Sequence, residues 1–162
     1  MRITAILFSL IMAFCFSCSS TIPESVFRDN VQSSASGTDI KPGAKLGILP
    51  FECEVRTVGK LISEETAKHL KSFILVYEDE INQMKMNTGK TLNELDIDYL
   101  LNGEVLIYSP KRKKFLSGVA RIVENGSNET IVRARFAPTS GSWKVQHIGE
   151  VFGTALNREL AK

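Results

Sequence analysis

Residues 96–108 read DIDYLLNGEVLIY. From Tyr99 on, most positions are apolar. Acids precede the run and Ser109-Pro110 follows it, so it predicts a long strand over Tyr99–Tyr108. Ser109–Lys114 (SPKRKK) is a basic turn, and Phe115–Val123 returns as a second strand. Glu124–Asn128 (ENGSN) carries an Asn-Gly hairpin signal. Glu129–Phe136 is a third strand, with Val132, Ala134 and Phe136 alternating against Arg133 and Arg135. The central element is therefore a three-stranded meander.

Upstream, Lys45–Phe51 (KLGILPF) predicts a short buried strand ended by Pro50. A helix follows over about Val58–Phe73, with Leu61, Ile62, Thr66, Leu70 and Phe73 on its apolar stripe. Ile74–Tyr77 (ILVY) is a second buried strand and Glu78–Met86 a short helix with Ile81 and Met84 inward. Thr91 and Glu94 have capping-box spacing. At the far end, about Trp143–Ala161 is an amphipathic helix whose stripe is Val145, Ile148, Phe152, Leu156 and Leu160. The order strand–helix–strand–helix, meander, helix predicts one α/β domain over residues 45–162. It is a mixed sheet of about five strands with helices packed on its faces.

The segment before this domain has two parts. Arg2 is a minimal positive n-region, and Ile3–Phe16 is an apolar stretch of about fourteen residues. As a helix that is roughly 21 Å, short of a roughly 30 Å hydrocarbon core, so it suits a secretory signal better than a span. Residues 18–44 are rich in Ser, Thr, Pro, Gly and Asp without sustained apolar period, which is the composition of a flexible tether. Ser17 stands directly before Cys18, a small residue before a cysteine at the end of an apolar run. That junction resembles the lipobox of bacterial lipoproteins, and it implies a signal peptide over residues 1–17 and a lipidated Cys18. The departures are Cys15 at −3, where an aliphatic residue is usual, and the bulky Phe16 at −2. A plain signal peptide or an uncleaved anchor are the alternatives. Ser19 after the anchor, by resemblance to enteric lipoproteins, implies the outer membrane, with the domain facing the periplasm.

KLGILPF with its helix, the LVYEDEINQM strand-into-helix junction and the DIDYLLNGEV strand occur in an order that is similar to three small α/β domains. These are the curli-secretion lipoprotein (CsgG) family, the penicillin-binding-protein activator LpoB and the N-terminal domain of TolB. The resemblance spans about residues 45–162. It implies a non-catalytic, lipid-anchored envelope protein whose domain binds a protein partner as an accessory, activator or assembly factor. The alternative it implies is a subunit of an oligomeric secretion or transport complex, without the extra hairpins that build the curli barrel.

Little else points to chemistry. The 162 residues carry a net charge of +2, and +1 once Arg2 is removed with the signal, so no global field marks a nucleic-acid binder. Two of the three cysteines lie in the leader, leaving Cys53 as the only thiol of the body, with His69 and His147 far from it in sequence. Gly89-Lys90-Thr91 lacks the upstream glycine and strand of a phosphate loop. No catalytic residue, metal site or cofactor is expected. The one interaction candidate is the basic loop Lys111, Arg112, Lys113 and Lys114. It is read either as a contact for anionic lipid, cell-wall polymer or an acidic protein face, or as a solvated turn that discourages edge pairing.

Overall fold

A computed structural model describes residues 30–36, 40–109, 114–138 and 143–162. The leader, Cys18 and the loop residues Lys111, Arg112 and Lys113 lie outside the described residues. The elements are β1 (Val31–Ala35), β2 (Lys45–Ile48), α1 (Arg56–Ala67), β3 (Ile74–Tyr77), α2 (Glu78–Thr88), a 3-10 turn (Leu92–Glu94), β4 (Tyr99–Ser109), β5 (Lys114–Glu124), β6 (Thr130–Phe136) and α3 (Val145–Leu160). The six strands form one mixed sheet in the order β1-β6-β5-β4-β2-β3. β2 is parallel to both β3 and β4, while the β4–β5–β6 meander and the β6–β1 pair are antiparallel.

The expected α/β domain with a mixed sheet and helices on its faces is found, with one more strand than expected. β1 comes from VQSSA, inside the stretch read as tether. Only Val31 of the five residues is even half-buried, so the segment carries no apolar signal of its own. It is a strand because its backbone pairs with β6, from Val31 opposite Phe136 to Ala35 opposite Val132.

α1 and α3 pack against each other and cover one face of the sheet. Leu46, Ile48, Leu101, Ile122, Val132 and Phe136 meet Ile62, Ile148, Phe152 and Leu156 there. Phe152 lies edge-on to both Phe51 and Phe136, with ring centroids 6.0 and 6.4 Å apart. The two helices approach closely because Gly149 and Gly153 face α1. A Cβ at Gly153 would stand 2.5 Å from the Thr66 carbonyl oxygen, and one at Gly149 2.5 Å from the Glu65 Cβ. The buried face of α1 is Val58, Gly59, Ile62, Ser63, Thr66 and Ala67; of the expected stripe, Ile62, Thr66, Leu70 and Phe73 are buried. Leu61, placed inside by the sequence reading, is half exposed. The helix also ends at Ala67, six residues before the expected Phe73.

A smaller apolar cluster sits on the opposite face: Ile81 of α2 with Leu95, Ile97, Leu100 and Val123. It covers only one part of that face. The first turn of α2 is tied to α1 by Lys60 to Asp79 at 3.5 Å and by an Arg56–Glu78 ion pair. The Thr91–Glu94 capping box forms, with the Thr91 backbone N–H donating to the Glu94 carboxylate at 2.8 Å. Gly89 closes α2 in the left-handed region (φ 67°), so Gly89-Lys90-Thr91 serves a helix end and the next cap.

Candidate functional site

Two surfaces stand out from this frame. The first is a hairpin arm. β4 and β5 each run to eleven residues, longer than any neighbouring strand. On one side β2 pairs only Tyr99–Leu101, and the last bond from that side is the Val105 N–H to the Glu52 carbonyl at 2.8 Å. On the other side β6 stops at Gly118. Residues 106–109 and 114–117 therefore pair with each other alone among the described residues, over about 13 Å at the rise of a strand. The register shifts on both sides of Ile107, and Leu106, at this irregularity, is 48% exposed. Lys114 is the first residue of β5, opposite Ser109.

The second surface is the part of the sheet that no helix covers. Register aligns Ser34, Arg133, Arg121 and Asn102 in one row across β1, β6, β5 and β4, and Gln32, Arg135, Val119 and Glu104 in the next. Arg121 donates from Nη2 to Glu104 Oε1 at 2.7 Å. Its Nε is buried and makes no hydrogen bond. Arg133 and Arg135 are exposed and have no ion-pair partner among the described residues. Two clefts share Ser34 and Arg133. One, of about 450 Å³, is completed by Ala35, Ser36, Arg121, Thr130 and Ile131. The other, of about 300 Å³, is completed by Gln32, Ser33 and Arg135.

β1, which forms one wall of these clefts, is fixed from behind. Ser33 donates to Glu159 Oε1 at 2.8 Å, and Lys162 donates to the same oxygen at 2.7 Å. These two bonds hold the carboxyl of Glu159 below the usual carboxylate range, the lysine contributing most. Glu159 is the one buried charged residue among the described residues, so the last helix and the first strand are linked through a paired charge.

The remaining sequence candidates fall apart in space or into structure. Cys53 is a half-buried free thiol packed at the edge of the main core, and no group of three or more metal-ligating side chains occurs among the described residues. Asn125 turns the β5–β6 hairpin and its side-chain amide donates to the Leu92 and Ile97 carbonyls at 3.1 and 3.0 Å. Among the described residues no helix is long and apolar enough to cross a membrane. The arginine rows were missed by the sequence reading. Their signal was the Arg133–Arg135 alternation in β6, noticed there only as the outward side of a strand.

No family model matches the chain, and no curated protein does. Among solved structures, a PelC dodecamer from Paraburkholderia phytofirmans in space group C2 is similar in fold. The TM-score is 0.52 at 11% identity, over 82% of this chain and 98% of that one. A second PelC dodecamer, in space group P6, gives 0.48 at 9% identity, over 78% and 94%. A Xanthomonas campestris protein of the family model DUF330 gives 0.34 at 8%, over 74% and 79%. At such identities the first likeness is one of fold alone, and the two lower scores carry no argument.

Proposed function

We propose that this chain is a non-catalytic, lipid-anchored protein of the bacterial cell envelope whose α/β domain acts by association with protein, first of all with copies of itself. The observation that carries the reading is the hairpin arm. A two-stranded ribbon without a third strand is marginal in water by itself. This one also places a half-exposed leucine on its flank, and a partner surface would bury both its unpaired backbone edges and Leu106. Self-association is favoured because the fold is similar to that of a protein solved as a dodecamer, over nearly all of that protein's length. In this reading Cys18 carries the lipid and residues 19–29 are the spacer to an outer membrane. Lys111–Lys114 steer the arm onto an acidic face of the partner.

A photo-crosslinking residue placed at Leu106 in intact cells tests this. A ladder of products at multiples of the chain's mass supports self-association. A single adduct to a different envelope protein supports the accessory reading that the activator resemblance implies. No adduct at all removes the arm as an interface. Replacement of Cys18 by Ala tests the anchor separately. Loss of palmitate labelling and release from membranes are expected, and continued labelling would place the lipid elsewhere.

A further inference from the structure

The open half of the sheet concentrates guanidinium groups. Three guanidinium groups lie within two adjacent rows, and the only carboxylate in those rows, Glu104, is already engaged by Arg121. By strand geometry Arg121 and Arg133 are about 5 Å apart across the sheet, and Arg133 and Arg135 about 7 Å apart along β6. These are backbone spacings; Arg133 and Arg135 are exposed without a carboxylate partner among the described residues, so they concentrate positive charge that an anion would neutralise. Val119, in the row of Arg135 and Glu104, is only 2% exposed although it belongs to neither apolar cluster. Arg121 lines the larger cleft, and its Nε is buried without a hydrogen bond.

The lining selects among anions. Ser34 and Thr130 supply hydroxyls and Gln32 an amide, and among the described residues no aromatic ring lines either cleft. The described lining therefore offers no platform for base stacking and no aromatic anchor of a protein hot spot. Two clefts joined at Ser34 and Arg133 form a track, which fits a repeating chain better than a single small ion. We propose that this face binds an acidic glycan, a polymer of uronate-type sugars. Its carboxylates lie in the forks of Arg133 and Arg135 and its hydroxyls on Ser34, Thr130 and Gln32. Guanidinium forks match carboxylates through two parallel bonds, which a lysine cannot reproduce.

The test is titration of the full chain, in detergent, with a hexameric oligogalacturonate at low and moderate salt. Binding that weakens with salt is expected, together with a tenfold or greater loss in R133Q/R135Q while its circular dichroism and Tm stay unchanged. R133K should lose several-fold despite keeping its charge. The methyl-esterified oligosaccharide should not bind. Absence of binding, or equal binding by R133Q/R135Q, would overturn the proposal. So would a polyglutamate peptide or polyphosphate of equal charge that binds as tightly, which would reduce the face to an unselective basic patch. Oligomeric mass measured on the same variant is expected to match that of the unaltered chain, because the arm lies outside both clefts.

Discussion

The two faces of β4, β5 and β6 come from the same residues read alternately, yet they are finished in opposite ways. On one face Leu101, Ile122, Val132, Ala134 and Phe136 disappear under α1 and α3. On the other, one residue along, Asn102 and Arg121 are half-buried and Arg133 and Arg135 are exposed. The buried face pins the strands by packing, which fixes the register. Fixed register is what lines up arginines from two different strands. A one-residue slip of β6 would send Arg133 and Arg135 into the core, so the fold and the arginine rows stand or fall together.

The comparison is broken most severely from the buried side. Phe152→Ala removes the ring that lies between Phe51 and Phe136, and a loss of about 3–5 kcal/mol is expected in urea unfolding. Next is Gly153→Val, which drives a side chain against the Thr66 carbonyl and His69. It is expected to cost about 1–3 kcal/mol by the same measurement. A loss from either variant no larger than that of a surface substitution would mean that α3 does not cover the sheet in this way.

The link between the faces is subtler. Ser33→Ala removes one bond to Glu159 and should cost about 1 kcal/mol, seen as faster amide exchange in β1 than in β5. The same link has a pH sign. The folded-state carboxyl of Glu159 titrates below its unfolded value of about 4.3, so its stabilisation is present above that value. It is lost as pH falls through the lower folded value. Exchange protection of β1, corrected for intrinsic rates, should fall on acidification over that range, and Glu159→Gln should remove the dependence. On the open face, R133Q/R135Q should leave stability within about 0.5 kcal/mol. A large loss there would show that the arginines are structural rather than available for a ligand.

The meander was legible because its information is local. Alternation, the Asn125-Gly126 turn and strand length all sit in consecutive residues, and the bounds expected for β4, β5 and β6 lie within a residue of those found. β1 was not legible. VQSSA has no large apolar residue beyond Val31, and its place depends on β6 about a hundred residues on and on a buried carboxylate at Glu159. Leu61 was misplaced because α1 packs against another helix through small residues. Gly149 and Gly153 of α3 lie against Ile62, Glu65, Thr66 and His69, a contact made by small residues that a search for large apolar side chains overlooks. The arginine rows needed the register of three strands at once. The arm needed to be seen against its neighbours, because its freedom comes from where β2 and β6 stop.

The central claim is association through that arm, and the mass of the full chain in detergent, by light scattering across a concentration series, tests it most directly. The account predicts a discrete species of several copies that falls to smaller species when Leu106 is replaced by Lys. A chain that stays monomeric at every concentration, or an assembly untouched by L106K, would contradict it.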